Sequence, residues 1–369
     1  MILQKAIPWK PCRNLLCIRA DNMGDLIMTT PALRALKQSF DGRITILTSS
    51  MGKLVAPFIP EVDDIMIADL PWVSHKGSCD ENGIMELAAT IREKGFDGVV
   101  IFTVYSQSAL PAALLTCMAG IPQRLAYCRE NPYGLLTHWV PDKEPYSFTQ
   151  HQVQRDIGLV HCIGATAISD HLYLEVGEQD KERLYAKLKQ AGMDTDKPFM
   201  IFHPGVSEEK RIYPSRLWIR VGQLIGENMQ LLITGGLNER ALTCAIAKGI
   251  GPQAFDMGGK LDLGELIAVV DAAQLVVAVN TGTIHIAAAR QTPVVVLYAN
   301  TNPQHIPWKV PSTILPFSVS ELLKSKNEII HWVDQLLYRD FVPFPEPEAV
   351  AMAIRELYRA TNINRHEHC

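Results

Sequence analysis

Residues 15–31 read LLCIRADNMGDLIMTTP, and this stretch sets the architecture. Leu15–Ala20 is a short apolar run that predicts a buried strand. It passes through Asp-Asn-Met-Gly-Asp directly into Leu26–Ser39, whose apolar spacing predicts a helix. The same unit of strand, turn and amphipathic helix recurs along the chain. Strands expected at Arg43–Leu47, Asp64–Ile67, Gly98–Phe102 and Arg124–Ala126 alternate with helices at Ile84–Lys94 and Ser108–Ala119. After a helix at Gln152–Cys162 and an irregular stretch at Gly164–Gly177 the pattern restarts. Helices at Gln179–Ala191, Arg216–Glu227, Glu239–Ile250 and Leu263–Ala272 then alternate with strands at Phe199–His203, Gln230–Thr234, Leu275–Val279 and Val294–Leu297. Two final helices, Asn327–Leu337 and Glu346–Ala360, flank the proline-rich Val342–Pro347. Alternating strands and helices imply right-handed crossovers and mostly parallel sheets. The expected fold is therefore α/β with two domains, residues 1–170 and 171–340.

Length and composition agree with this. At roughly 150 residues per domain, 369 residues suggest two domains, or at most three. Apolar residues at 47% and charged residues at 20% exclude a disordered chain. A net charge of -4 offers no global basic field to nucleic acid. The eight cysteines are scattered and form no CxxC pair, so they read as reduced thiols in a cytosolic protein. The longest apolar stretch, Leu263–Val279, is interrupted by Asp271 and Gln274 and predicts helix then strand, not a membrane span. The N-terminus lacks the layout of a signal peptide. The expected location is cytoplasmic, with peripheral contact at the inner membrane face left open.

Ligands of open parallel sheets bind outside the carboxyl ends of the strands, and the unusual chemistry falls there. Gly24 permits a tight turn and the close approach of another molecule. Asp25 opens the helix. It serves either as a cap for free backbone N–H groups or as a carboxylate able to take a proton from a substrate hydroxyl. The spacing is not the GxGxxG of a dinucleotide fingerprint, which argues against a nicotinamide enzyme.

Two further segments lie at strand ends in the second half. Residues 203–214, HPGVSEEKRIYP, place Lys210 and Arg211 in a loop after a strand. They are either a solvated basic pair balanced by Glu208 and Glu209 or part of an anion site. Residues 280–285, NTGTIH, follow the next interior strand. The free N–H groups of Thr281, Gly282 and Thr283 at a helix start, with the helix dipole, suit an anion. A diphosphate on this turn, with Lys210 closing from the other side, is the sharper reading. His285 is expected near that site as a packed, hydrogen-bonded residue without a proton-transfer role. Asp194-Thr195-Asp196 resembles a DxD metal motif but falls where an exposed turn is expected. The terminal His366, Glu367, His368 and Cys369 are expected to fray. No metal site is assigned. No GxSxG, HExxH or P-loop pattern occurs.

Taken together, four segments resemble glycosyltransferase family 9, the ADP-heptose:lipopolysaccharide heptosyltransferases. They are IRADNMGDLIMTTPALRALKQSF (18–40), FHPGVSEEKRIYPSRLW (202–218), ITGGLNERA (233–241) and GGKLDLGELIAVVDAAQLVVAVNTGTIHIAAARQTPVVVLYANTNPQHIPW (258–308). The resemblance implies a GT-B fold, two Rossmann-like domains with parallel sheets facing across a cleft. It also implies that the helix at 346–360 packs back on the N-terminal domain. The donor nucleotide is then expected on the C-terminal domain and the acceptor on the N-terminal one.

Residue by residue, the resemblance makes Asp25 of the MGD motif the catalytic base and Lys210 a phosphate ligand. Asn280, Thr281 and Gly282 stand for the family's Asp-Thr-Gly turn, and Arg211, Thr283 and His285 complete the phosphate set. Asn280, Gly205 and Leu261 are assigned to the donor sugar and nucleoside, with an adenine-side turn near Gly258–Leu261. Asn22 and Gly24 are assigned to the acceptor-side loop. Two positions depart from the pattern. Asn280 stands where Asp is common, which keeps an acceptor oxygen but removes the charge and leaves the donor sugar open. Tyr213 stands in KRIYP where a KxWP form is frequent.

The implied reaction is inverting, metal-independent transfer of a sugar without a cofactor. Heptose from ADP-heptose moves to a glycan or lipid-linked glycan such as lipopolysaccharide core. Two other readings remain open at this point, a sugar-nucleotide epimerase of the same architecture and a non-catalytic nucleotide-sugar-binding protein. No nucleic-acid partner is expected, and the oligomeric state is not fixed.

Overall fold

A computed structural model describes residues 9–73, 81–227 and 229–366. Cys79 and the terminal Glu367, His368 and Cys369 lie outside the described residues. The chain divides into two compact units, Met1–Tyr173 and Leu174–Cys369.

The first unit runs β1 (Asn14–Arg19), α1 (Met23–Phe40), β2 (Arg43–Thr48), β3 (Asp64–Ile67), α2 (Glu81–Glu93), β4 (Gly98–Ile101), α3 (Leu110–Met118), β5 (Gln123–Cys128), β6 (His138–Pro141) and α4 (Gln152–His161). Its six strands form one sheet in the order β3-β2-β1-β4-β5-β6, with every pairing parallel. The interior strands are buried on both faces: Leu15, Leu16 and Cys17 of β1 and Val99 and Val100 of β4 are inaccessible to solvent. Such strands read as unbroken apolar runs because helices cover each face.

The second unit runs α5 (Glu178–Gln190), β7 (Phe199–His203), α6 (Ser215–Ile225), β8 (Gln230–Ile233), α7 (Arg240–Ile250), β9 (Ala254–Asp256), α8 (Leu263–Ala272), β10 (Leu275–Val279), α9 (Gly282–Ala289), β11 (Val294–Ala299), β12 (Ser312–Phe317), α10 (Glu328–Leu337) and α11 (Pro347–His366). Its sheet has the order β12-β11-β10-β7-β8-β9, again all parallel. Counted from the first strand of each unit, both sheets follow the doubly wound order 3-2-1-4-5-6. The direction of winding reverses between β1 and β4 in one and between β7 and β10 in the other. In such sheets the crevice outside the carboxyl ends of those two strands receives ligands.

The C-terminal helix contributes to the core of the second unit. Val350, Ala353 and Ile354 of α11 join the core formed by Trp218 and Val221 of α6, Val277 of β10, Leu297 of β11 and Phe317 of β12. Full burial of Val350 and Ile354 stabilises that docking by about 1.5–3 kcal/mol each. Three strands, β6, β9 and β12, were not anticipated.

Candidate functional site

In the first unit the site grows out of β1. Arg19 is its last residue and is fully buried. The chain then turns through residues 20–22 into α1, where Asp25 is the third helical residue. Both carboxylate oxygens of Asp25 are held. Oδ2 accepts the Asn22 N–H at 3.2 Å, so the capping reading is realised. Oδ1 lies 3.3 Å from Nη2 of Arg19. A carboxylate in the first helical turn also gains from the helix dipole. Asn22 is exposed and Gly24 half-buried beside it.

Arg19 meets more than one acid. Its Nε is 3.3 Å from Oδ2 of Asp21. Asp21 also accepts a hydrogen bond from Gln107, in the loop after β4, and so ties the two strands at the reversal point. On the inner face of α1, the Thr29 hydroxyl bridges to Asp156 of α4 at 2.7 Å, and Asp156 accepts from Gln152 at 2.7 Å. Burial raises the Asp21 and Asp156 carboxyls above the ordinary range, against the lowering pull of Arg19. Next to Asp156, Arg155 grips Asp142 through two nitrogens at 2.9 Å and stacks 4.5 Å from the Tyr127 ring.

In the second unit four strand ends supply the polar groups. After β7, Glu208 pairs with Lys210 at 3.2 Å and with Arg211 at 2.7 Å. Nη1 of Arg211 reaches the main-chain carbonyl of Asn280, after β10, at 3.2 Å. The two basic residues and the 280–283 turn are therefore brought to one place at the reversal point. Thr281 is the extended residue before α9, and the first N–H groups of a helix have no intrahelical partner. Thr283 and His285 are buried in α9, and the His285 ring lies edge-on to that of His305.

Asn280 does not present a free amide. Its Nδ2 donates to the Ala299 carbonyl and to Thr301 Oγ1, both at 3.1 Å, and its Oδ1 accepts the Ala299 N–H at 3.1 Å. It clamps the ends of β10 and β11 together. Gly205 acts through space: a Cβ there would lie 2.0 Å from the Glu239 carboxylate. Glu239 in turn accepts the Gly236 N–H at 2.6 Å. The turn at 258–260 closes onto the same place through Gly259 N–H to Gly235 carbonyl at 2.9 Å, and Leu261 follows it, half-buried. His203 bonds Thr234 through Nδ1 at 2.9 Å. Burial holds that imidazole below its ordinary pKa, against the charge of Glu239. Tyr213 packs edge-on to Trp218 and Phe344 and donates to the Pro345 carbonyl at 2.7 Å. It anchors the basic loop from within the core.

The sequence reading did not find Arg19, Asp21, Gln107, Asp156 or Glu239. Arg19 carried a signal, as the one charge in an otherwise apolar buried run. At the DxD-like segment, Asp194 pairs with Lys197 at 3.0 Å and accepts the Asp196 N–H, closing an exposed turn.

The family model for glycosyltransferase family 9 (heptosyltransferase) matches residues 84–327. The chain belongs to glycosyltransferase family 9. Among its relatives, lipopolysaccharide heptosyltransferase 2 of Escherichia coli strain K12 is 24% identical over 313 residues, 80% of this chain and 85% of that one. Lipopolysaccharide heptosyltransferase 3 of the same strain is 25% identical over 301 residues, 78% of this chain and 82% of that one. The solved family 9 glycosyltransferase of Veillonella parvula superposes with a TM-score of 0.78 at 19% identity, covering 96% of this chain and all of that one. The E. coli ADP-heptose lipopolysaccharide heptosyltransferase II superposes at 0.70 and 20% identity, covering 95% and 99%. These likenesses give the family 9 chain its fold class, GT-B with two Rossmann-like units. As a glycosyltransferase of this family it is an enzyme, which sets aside the epimerase and the non-catalytic reading. Among the described residues no helix is long and apolar enough to cross a membrane.

Proposed function

We propose that this glycosyltransferase moves heptose from ADP-heptose to a glycan acceptor such as lipopolysaccharide core, with inversion at the anomeric carbon. In the second unit, Lys210 and Arg211 with the N–H groups of Gly282 and Thr283 hold the diphosphate, and His285 backs that turn; the Thr281 N–H, expected to join them, donates instead to the Val279 carbonyl at 2.8 Å. Gly205 and Leu261 flank the nucleoside, with Asn280 shaping the sugar side by fixing residues 299–301. In the first unit, Asn22 and Gly24 form the acceptor-side loop and Asp25 is the base. The acceptor oxygen forms a bond to the anomeric carbon as the bond from that carbon to the diphosphate oxygen breaks. The proton of the acceptor hydroxyl goes to Asp25, and the electron pair leaves with ADP. A positioned base contributes about 10²–10⁴-fold. The basic pair and helix N–H groups stabilise the charge on the departing diphosphate without a divalent ion.

The observation that carries this reading is the Arg211 to Asn280 contact. It joins a basic loop to a helix N-terminus at the β7–β10 reversal point, where doubly wound sheets take nucleotides. One relative by fold was solved with ADP, an E. coli heptosyltransferase at a TM-score of 0.61 and 17% identity, covering 88% of this chain and 99% of that one. The proposal extends to a cytoplasmic setting at the inner membrane face. It is tested by titrating ADP-, GDP- and UDP-sugars and then following donor consumption with and without acceptor, in EDTA. ADP-heptose is expected to bind tightest and to be consumed only with acceptor present. Selective binding of a UDP-sugar, or loss of turnover in EDTA, overturns the donor or the metal-free scheme respectively.

A further inference from the structure

The first unit places the Arg19 guanidinium among three acids, with Arg155 beside the third of them, Asp156. Arg19 is fully buried, ion-paired to Asp21 and Asp25, and feels Asp156 as well. Neither its Nη1 nor its Nε has a hydrogen-bond acceptor among the described residues, so Asp21 meets Nε as an ion pair only. Burying a charge is costly unless geometry and hydrogen bonding compensate it fully, and a buried donor without an acceptor adds to that cost. Leu15 and Cys17, on the same face of the strand, show what packing alone selects there. An arrangement this expensive, centred on the carboxylate assigned as base, points to a role in function.

We propose that Arg19 is a positioning residue for Asp25, resting on the reading of Asp25 as base. Arg19 fixes Oδ1 while the Asn22 N–H fixes Oδ2, so the carboxylate plane is set from both sides. One rotamer of Asp25 is held without any contribution from substrate. Asp21 shares the guanidinium through Nε and is itself held by Gln107, which stops Arg19 from turning away. The Thr29–Asp156 bond fixes the helix that carries Asp25 from its other side. Preorganisation of this kind acts on turnover and leaves donor affinity alone.

The test is a double-mutant cycle on the full chain, with kcat, acceptor KM and ADP affinity measured for Arg19→Met, Asp25→Asn and the pair. Arg19→Met is expected to lower kcat by about 10²-fold with ADP affinity within twofold of wild type. The double variant is expected to be no slower than Asp25→Asn alone, because a positioning residue has nothing left to position. Arg19→Lys keeps the charge but not the fork that spans Asp21 and Asp25. It covers the case in which Arg19→Met does not fold, and its kcat is expected to fall between wild type and Arg19→Met. Wild-type kcat in Arg19→Met or Arg19→Lys, or additive losses in the double variant, overturns the positioning role. An active Asp25→Asn overturns the base assignment on which it rests, and is read separately from the Arg19 variants.

Discussion

At the β1–β4 reversal point of the first unit the polar groups are Arg19, Asp21 and Asp25, buried and paired with one another. At the β7–β10 reversal point of the second they are Lys210, Arg211 and the N-terminus of α9, partly exposed, with both cations paired to Glu208. The strand order is the same in both. What differs is the sign of the charge and how far it is closed off from water. A doubly wound sheet therefore supplies a place for chemistry and leaves the chemistry to the turns. An excess of buried acid suits a group that accepts a proton, and half-buried cations beside a helix N-terminus suit a group that receives an anion.

That contrast can be broken from either side. The largest effect is expected at the acidic end. Asp25→Asn keeps the size of the side chain and removes its basicity, so kcat should fall by about 10²–10⁴-fold while ADP still binds with wild-type affinity. Calorimetry with steady-state rates checks this, and a variant with near-normal kcat removes Asp25 from the base role. At the basic end, Lys210→Ala should weaken ADP binding by roughly tenfold to a hundredfold, the range for a hydrogen bond to a charged group. Unchanged ADP affinity would take the diphosphate away from this loop.

Two smaller effects sharpen the comparison. Asn280→Asp sets a carboxylate oxygen against the Ala299 carbonyl and loses two donors. It should destabilise the second unit by about 1–3 kcal/mol, read by denaturant unfolding. Unaltered unfolding would show that the clamp carries no weight. The acidic cage of the first unit should show in the pH dependence of stability. Burial raises the Asp156 carboxyl above its ordinary value, so the folded state binds that proton more tightly than the unfolded chain. Its contribution is complete below about pH 3.9 and declines as pH rises through the raised folded value. Asp156→Asn cannot titrate. Its Tm relative to wild type should climb as pH rises from 4 and then level off. A pH-independent offset would mean that Asp156 is ionised throughout.

Much of the fold was legible because interior strands of a parallel sheet are apolar on both faces. β1, β4, β7, β10 and β11 announced themselves as unbroken runs. The strands that went unread are β6, β9 and β12, and β6, β9 and β12 all form sheet edges. An edge strand has water on one side and tolerates what an interior one cannot: Pro316 sits within β12, Pro141 closes β6, and β9 is only three residues long. Among the candidate site residues, the strand-end positions of Asp25, Lys210 and Arg211 were legible because each follows a readable strand. Asp156 was not, because its meaning comes from Thr29, 127 positions away in the chain. Glu239 gains its place from Gly205, whose missing side chain leaves room for it. The clamp made by Asn280 was hidden for a similar reason. Its partner Ala299 lies 19 residues on, at the end of the next strand.

The most direct test of the account is a crystal structure of the chain with ADP bound. It should place the diphosphate against the main-chain N–H groups of Gly282 and Thr283, with Lys210 Nζ turned from Glu208 toward a phosphate oxygen. ADP held elsewhere, with Lys210 still on Glu208 and the start of α9 open to solvent, would contradict it.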